Sequence, residues 1–356
     1  MTSDSSEPGV LRARPLQHAR ACACCLPRRG FLAGAAALAG APRALAAPAR
    51  REAVDVHAHY ASPAYLQAMG ERVQGLMRNW SLAAHLEAMD RGGVTRSILS
   101  VTAPAVPLAG EAGRRVAREV NEYGARLVAD HRPRLGLFAA LPMADLDGAL
   151  AEAEYALDVL KANGVALLTS YEGRWLGDAR FDPLFEMLNR RRAVAYVHPT
   201  AAPCCAGLVP YVSDAVIEYG TDTTRAMTSF IYSGAAGRFP EVRMIWSHAG
   251  GTMPFLIERF DYADRTVEKL KAAAPAGFRA AAGRFFYDTA QSSNRVAMGA
   301  LRQVIAPERI LFGSDYPFRS PGEQLDQLER GGVFSPAELG AIQQGNLSRD
   351  LPVVLA

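Results

Sequence analysis

From Ala53 onward, apolar runs alternate with stretches in which apolar residues recur at helical spacing. The apolar runs are short and rich in β-branched and aromatic residues, which is typical of buried strands. The predicted strands are 53–57, 94–101, 134–140, 164–169, 193–198, 242–247, 283–288 and 309–314. The predicted helices are about 81–91, 111–130, 146–162, 181–190, 222–237, 252–271, 294–304 and 321–330, with a last one near 335–347. This alternation predicts one α/β domain over residues 47–356, a closed parallel (β/α)8 TIM barrel with an extra C-terminal helix.

Side chains that can bind metal or move protons stand at the ends of the predicted strands. They fall in five motifs, which are Asp55-Val-His57-Ala-His59, Tyr196-Val-His198-Pro199, Ser247-His248-Ala-Gly250-Gly251, Tyr287-Asp288-Thr289 and Gly313-Ser314-Asp315-Tyr316-Pro317. The C-terminal strand ends of a barrel meet at one face, where barrel enzymes build their active sites. Of the seven histidines, six follow the first 46 residues, and four of those six lie in these motifs. We therefore expect a functional site at this face.

Three imidazoles and one carboxylate in these motifs form a candidate metal site. His57 and His59 are two residues apart at the end of the first predicted strand, so both side chains project from one face. His198 ends the fifth predicted strand and Asp315 the eighth. Three nitrogens and one oxygen suit a divalent ion, Zn²⁺ in preference to Mn²⁺, and leave a position for water or substrate. The set predicts one such ion per chain.

The first 46 residues, called the leader below, have the pattern of an export signal. Arg28 and Arg29 precede Phe31-Leu32, an alanine-rich apolar run follows, and Ala44-Leu45-Ala46 offers a small-x-small cleavage site. A paired arginine before such a run is typical of twin-arginine signal peptides. The run is too short and too alanine-rich to span a bilayer well, so we expect no stable membrane anchor. We expect a periplasmic or secreted protein, with a cytoplasmic one as the alternative.

Charge and cysteine content narrow the function further. The formal net charge of +3 comes from the leader, because the rest of the chain has 33 basic and 34 acidic residues. This balance gives no basic face for nucleic acid. Outside the leader only Cys204 and Cys205 remain. Adjacent cysteines form a strained disulfide, so we interpret them as loop or core thiols rather than a disulfide or soft-metal site.

The five motifs resemble those of the metal-dependent amidohydrolase superfamily. More narrowly, the chain resembles the amidohydrolase-related decarboxylases, which include aminocarboxymuconate semialdehyde, 6-methylsalicylate and resorcylate decarboxylases. Further matching strings are Met89-Asp90-Arg-Gly-Gly-Val94, Leu141-Pro142-Met143, Trp175-Leu-Gly-Asp178, Thr221-Asp-Thr-Thr-Arg225, Gly251-Thr-Met-Pro254-Phe255 and Gly345-Asn346. The resemblance runs from about Val54 to Leu351.

The resemblance implies a role for each candidate residue. The ion would be held by His57, His59, His198 and Asp315, and His248 would be the catalytic residue beside it. Arg259, eleven residues after His248, would enter the substrate carboxylate site of a partner subunit, which implies a homodimer. Binuclear members bridge two ions with a carboxylated lysine or a glutamate at the end of strand 4. None of the three lysines, Lys161, Lys269 and Lys271, ends a predicted strand, which favours one ion.

The residues themselves leave several roles open. An imidazole beside an ion can act as acid or base near neutral pH, but His248 could also be a fifth ligand or structural. Arg259 could clamp a carboxylate, or be a surface arginine or part of an intrachain ion pair. Asp288 could orient a ligand histidine or serve as a cap, and Asp55 is expected to brace the barrel. Gly250 and Gly251 are expected to let backbone and ligand approach closely.

The connections 59–80, 169–181 and 199–221 are long and follow predicted strands, where barrel loops carry substrate contacts. The resemblance suggests a second substrate arginine in the first of them, with Arg72 and Arg78 as the candidates. Three aromatic residues, Trp175, Tyr316 and Phe318, could wall a pocket or simply pack.

Two enzyme functions and one other class fit the candidate site. The resemblance implies a lyase that decarboxylates an aromatic or conjugated carboxylic acid without redox chemistry, with His248 or Asp315 protonating the carbon. The alternative is a hydrolase of a lactone, ester or amide, with Asp315 as base, because the same ligands serve both. A binding or structural protein with a vestigial site is disfavoured by the intact ligand set.

Overall fold

The computed structural model describes residues 51–355. Eight parallel strands form one sheet in chain order. The strands are β1 Ala53–His59, β2 Val94–Ser100, β3 Leu135–Ala140, β4 Gly164–Leu168, β5 Val194–His198, β6 Arg243–Trp246, β7 Phe286–Asp288 and β8 Ile310–Leu311. The predicted number and order of strands are confirmed. The predicted signal peptide, residues 1–46, lies outside the described residues.

The sheet closes into a barrel between β1 and the segment that follows β8. The Val56 amide donates to the Phe312 carbonyl at 3.0 Å, and the His59 amide to the Tyr316 carbonyl at 2.8 Å. Asp55 adds a side-chain link, since its Oδ1 accepts the amide of Ser314 at 3.0 Å. The predicted (β/α)8 barrel is therefore confirmed, and Asp55 braces it as expected.

Helices surround the sheet. They are α1 Pro63–Met69, α2 Gly75–Arg78, α3 Leu82–Gly92, α4 Gly110–Asp130, α5 Leu146–Asp158, α6 Asp182–Arg190, α7 Asp214–Tyr232, α8 Ala235–Arg238, α9 Met253–Thr266, α10 Glu268–Ala273, α11 Phe278–Ala282, α12 Arg295–Arg302, α13 Pro321–Arg330, α14 Pro336–Gly340 and α15 Asn346–Asp350. A π-helical turn, Ala341–Gly345, joins α14 to α15. Within residues 51–355, no helix is both long and apolar enough to traverse a bilayer.

The start of α7 is the clearest difference from the predicted helices. A helix was predicted over 222–237, whereas α7 already begins at Asp214. Val216 and Ile217 in its first turns are 72% and 45% exposed, so this part of the helix has no simple buried apolar face. Periodicity detects a helix only through such a face, which explains the late predicted start.

The C-terminal segment covers the N-terminal end of the barrel. Leu347, Leu351 and Val354 are buried in one apolar cluster with residues of the barrel interior such as Val54 and Val56. Side chains at the N-terminal end of the barrel donate hydrogen bonds to carbonyl groups of this segment. For example, Asn163 Nδ2 donates to the Val353 carbonyl at 2.8 Å. The segment packs against the end of the barrel opposite the five motifs.

Candidate metal centre

Five ionisable side chains converge at the C-terminal end of the barrel. His57 and His59 lie at the end of β1, His198 ends β5, His248 follows β6, and Asp315 follows β8. All five are buried. The His57 Nε2 and His59 Nε2 atoms lie 3.2 and 3.0 Å from Asp315 Oδ1, and His248 Nε2 lies 3.5 Å from Asp315 Oδ2. The predicted cluster therefore forms in space.

Four of these residues form a group whose donor atoms could share one metal ion. One donor atom each of His57, His198, His248 and Asp315 lies within 4.8 Å of the others. This group contains His248, which the sequence assigned to catalysis, and omits the predicted ligand His59. His59 still borders the same space, since its Nε2 is 3.2 Å from His57 Nε2.

The three predicted ligand histidines have Nδ1 occupied on the outer side of the cluster. His57 Nδ1 bonds to Asp288 Oδ2 at 2.8 Å, His59 Nδ1 to Ser100 Oγ at 3.2 Å, and His198 Nδ1 to the Pro199 carbonyl at 2.8 Å. Such bonds fix the orientation of the ring and leave Nε2 to bind an ion. The role considered for Asp288, orienting a ligand histidine, agrees with this geometry.

His248 is held in a different way. Among the described residues, Nδ1 of its buried ring makes no hydrogen bond, and Nε2 makes only the long contact of 3.5 Å with Asp315 Oδ2. Its backbone amide donates instead to Asp288 Oδ1 at 2.9 Å. The ring of His248 is therefore positioned by its backbone, and both nitrogens remain able to meet a bound molecule.

The backbone at two of these residues is strained. His248 and Asp315 have φ values of 52° and 68°, in the left-handed region that residues with a Cβ seldom adopt. A residue held in a sparsely populated region costs about 1–3 kcal/mol, and such strain concentrates at functional sites. Here the strained residues lie where the chain leaves β6 and β8 and turns across the cluster.

The two glycines after His248 make room for neighbouring protein groups. A Cβ atom on Gly250 would lie 2.9 Å from Tyr287 Cε1, and one on Gly251 would lie 1.9 Å from the Gly220 carbonyl oxygen. Both glycines also have positive φ. Both glycines pack the loop against β7 and α7, and their expected close approach to a ligand stays a prediction.

Burial and neighbouring charges set the protonation of the cluster. Burial opposes ionisation of Asp315, but His57, His248 and His59 together hold the pKa of its carboxyl well below the usual value. Burial lowers the pKa of His198 well below its ordinary value, with further lowering from the neighbouring histidines. Burial also lowers the pKa of His57, but Asp288 and Asp315 outweigh it and raise that pKa to about 10.

These protonation states fit a divalent cation. The donor set combines the ionised carboxylate of Asp315 with the neutral imidazole of His198, and a proton on His57 offsets the negative charge of Asp315. A cation on the same atoms would take the place of that proton, since ligand histidines bind metal in their neutral form. The residues present therefore suit a bound divalent ion.

The other predicted site residues have varied surroundings in the structure. Arg259 is exposed on α9 and makes no ion pair with any residue of 51–355, so an intrachain pair is not its role there. Arg72 and Arg78 are also exposed. Of the aromatic candidates, Phe318 has its ring centroid 6.0 Å from that of His59. Trp175 donates instead from Nε1 to Asp222 Oδ1 at 2.7 Å.

Two residues at the cluster were not predicted. Gln291 donates a hydrogen bond from Nε2 to Asp315 Oδ2. Tyr219 has its ring centroid 5.9 Å from that of His198. Tyr219 lies in the first turns of α7, which the sequence pattern missed, and Gln291 lies in an irregular loop after β7. A predicted helix that began at Asp214 would have included Tyr219 and placed it near the C-terminal face of the barrel.

A parallel barrel with a buried His and Asp cluster at its C-terminal strand ends defines the class of metal-dependent TIM-barrel proteins. Residues 54–346 match the amidohydrolase family. A decarboxylase of Aspergillus niger is 36% identical over 284 residues, covering 74% of this chain and 77% of that protein. The 6-methylsalicylic acid decarboxylase of Penicillium expansum is 35% identical over 274 residues, covering 74% and 84%. The chain therefore belongs to the amidohydrolase family.

A solved structure agrees with the fold. It is a dihydroxybenzoic acid decarboxylase from Polaromonas with bound manganese and the inhibitor 2-nitroresorcinol. It is 22% identical, has a TM-score of 0.72, and covers 85% of this chain and 96% of its own. At this identity the likeness supports the barrel fold and no finer conclusion.

Proposed function

We propose that this protein is a metal-dependent non-oxidative decarboxylase, a carboxy-lyase that acts on an aromatic or conjugated carboxylic acid. The observation that carries the proposal is the buried ring of His248, which lies beside the metal-ligand cluster and whose only polar contact with residues 51–355 is a long one, from Nε2 to Asp315 Oδ2 at 3.5 Å. The relatives at 35% and 36% identity, both named decarboxylases, support the same reaction.

His57, His59, His198 and Asp315 would hold one divalent ion, with Zn²⁺ preferred and Mn²⁺ as the alternative. The outer hydrogen bonds on Nδ1 of the three histidines support this ligand set over one that includes His248. A bound ion supplies positive charge that stabilises anionic oxygens of the substrate. The Polaromonas protein of the same fold has manganese bound.

His248 would supply the proton that decarboxylation requires. When the bond between the ring carbon and the carboxylate breaks, CO₂ leaves and the electron pair stays on the carbon, which then takes a proton. Asp315 is a weaker candidate for this step, because its Oδ1 contacts His57 and His59 and its Oδ2 accepts from Gln291. The ring of His248 makes only one long contact, from Nε2 to Asp315 Oδ2 at 3.5 Å, and an imidazole is suited to proton transfer near neutral pH.

Product analysis tests the proposed reaction. Purified protein would be incubated with salicylate, 6-methylsalicylate and 2,6-dihydroxybenzoate, and CO₂ and the decarboxylated phenol would be quantified. We expect the two products in equal amounts from at least one acid. Hydrolysis of a lactone, ester or amide without CO₂ from any acid would favour the hydrolase, which can use the same ligands.

We propose further that the protein acts as a homodimer in which Arg259 serves the neighbouring site. Arg259 is exposed and makes no ion pair with the described part of the chain, so its charge is available to a carboxylate. Phe255 and Tyr262, one turn to either side on α9, are 70% and 61% exposed. An arginine between exposed aromatic side chains suits a protein interface.

We also propose export by the twin-arginine route, which rests on the leader sequence alone. Changing Arg28 and Arg29 together to lysine should keep the protein in the cytoplasm of a host with that pathway. Cell fractionation measures the outcome, and unchanged export of the double variant would contradict the proposed route.

A further inference from the structure

A cavity of about 220 Å³ lies at the same end of the barrel as the candidate metal centre. Loops that follow β2, β3, β4 and β5 line it together. They include parts of the long connections 169–181 and 199–221, for which the sequence predicted substrate contacts. Since barrel enzymes bind substrate among these loops, the cavity is placed to hold part of a substrate.

The wall of this cavity adjoins the metal-ligand cluster. Leu168, which lines it, is the in-register partner of His198 in the pairing of β4 with β5. Paired residues on neighbouring strands point to the same face of a sheet, so the Leu168 side chain stands beside the imidazole of His198. Thr200, also in the wall, follows His198 by two residues. A molecule held at the cluster could therefore extend a substituent into the cavity.

Three polar side chains of the wall are bonded within the protein. Ser170 Oγ donates to Asp222 Oδ2 at 3.4 Å, and the Leu168 amide donates to the Tyr171 hydroxyl at 2.7 Å. The carboxylate of Glu172 pairs with Arg180 at 2.7 Å. Within residues 51–355, no lysine or arginine lines the cavity, so a second carboxylate there would lose its hydration without gaining a cation from this part of the chain.

The remaining surface is apolar. Side chains of Val106, Leu168, Ala144 and Ala201 supply much of it, together with three prolines. Each methylene transferred from water into such a site raises affinity roughly four-fold. The cavity volume is several times the approximately 30 Å³ that one water molecule occupies in the liquid, so it has room for more than one methyl group.

We propose that this cavity is the subsite for an alkyl substituent of the substrate, and that the substrate is an alkyl-substituted aromatic monocarboxylic acid rather than a dicarboxylate. The assignment rests on the proposed decarboxylase function, because it places the carboxylate at the cluster and the alkyl group beside Leu168. On this assignment the cavity wall limits the length of the alkyl substituent, and ethyl and propyl groups are accepted as well as methyl.

The test uses two variants that fill the cavity, Ala144→Leu and Ala201→Leu, and a matched control, Ala83→Leu, at an exposed position on α3. The ligands are salicylate and its 6-methyl, 6-ethyl and 6-propyl derivatives. Both Kd, by calorimetry, and kcat/KM for CO₂ release are measured. Metal content and thermal melting establish that each variant is folded and loaded.

For the unaltered protein we expect affinity to rise by up to about four-fold with each added carbon. The two cavity variants should lose at least about ten-fold in affinity for 6-propylsalicylate, the equivalent of two buried methylenes, yet bind salicylate as before. The control should match the unaltered protein.

Equal changes for all four acids, or none, would overturn the subsite. If no acid releases CO₂, the proposed function fails, and the Kd series then still decides the subsite independently.

Discussion

Asp288 accepts a hydrogen bond from Nδ1 of His57 at 2.8 Å, and both side chains are fully buried. The second oxygen of the same carboxylate accepts the backbone amide of His248 at 2.9 Å. One side chain at the end of β7 thus orients a predicted metal ligand and the loop of the predicted proton donor. Asp288 would therefore couple the proposed ligand geometry of His57 to the proposed proton transfer by His248.

Replacing Asp288 should weaken metal binding without abolishing it. Loss of a carboxylate that orients a ligand histidine lowers metal affinity by about 10–100-fold, and we expect Asp288→Ala to fall in that range. Asp288→Asn, which keeps an acceptor oxygen but loses the charge, should lie between. Competition against a chromophoric chelator measures both. An affinity within two-fold of the unaltered protein for Asp288→Ala would show that His57 needs no such support.

A matched pair of variants separates the roles of His248 and His59. His248→Ala should keep its ion and lose about 100-fold or more in kcat, as expected for a lost proton donor. His59→Ala should lose most of the ion. His59 is assigned as a ligand because the hydrogen bond from its Nδ1 to Ser100 Oγ orients the ring and leaves Nε2 to bind the ion. Elemental analysis and CO₂ release are measured on both. The reverse pattern would move His248 into the ligand set, in agreement with its place in the group of four donors that could share one metal ion.

Sequence was a good guide where a buried run and its terminal polar residue occur together. Strand runs ending in His57, His198 and Asp315 placed all three side chains at one face, since parallel barrel strands present the same end. The sequence was a poor guide where a contact depends on three-dimensional packing. Gln291 reaches Asp315 from an irregular loop, and no periodic pattern marks such a residue.

The Gly250 and Gly251 pair illustrates a second limit. A glycine pair in a sequence signals close approach, but the approaching partner is known only from the fold. Here the partners are Tyr287 and Gly220, both protein groups. Likewise the Nδ1 bonds that distinguish His59 from His248 depend on residues distant in sequence or on backbone groups. A histidine motif can therefore reveal a metal cluster before it reveals which member moves a proton.

The C-terminal segment should stabilise the barrel by covering its N-terminal end. Leu351 is fully buried in the cluster that closes this end, whereas Val353 is 42% exposed. We expect Leu351→Ala to lower the free energy of unfolding by about 2–5 kcal/mol, the usual cost of this change in a core. Val353→Ala is the control, expected to change it by less than about 1 kcal/mol. Equal effects of the two in denaturant unfolding would mean that the segment does not act as a packed cover.

Mixing two inactive variants tests whether Arg259 serves a neighbouring subunit. Arg259→Ala leaves the metal ligands intact, and His57→Ala leaves the arginine intact, so each homodimer lacks one part of every site. A heterodimer would contain one complete site, with the metal ligands from the first chain and the arginine from the second. Subunit exchange should therefore restore part of the activity, at most about a quarter for random pairing with equal chains.

Native mass spectrometry would confirm that the two variants exchange, and circular dichroism that both fold. The expected restoration follows from the exposed position of Arg259 and its lack of an ion pair with the described part of the chain. A cis-acting arginine predicts a different outcome, because no chain in the mixture would then carry both an intact metal cluster and its own arginine. If exchange is complete and CO₂ release stays at the level of the parents, Arg259 acts within its own chain or outside the site.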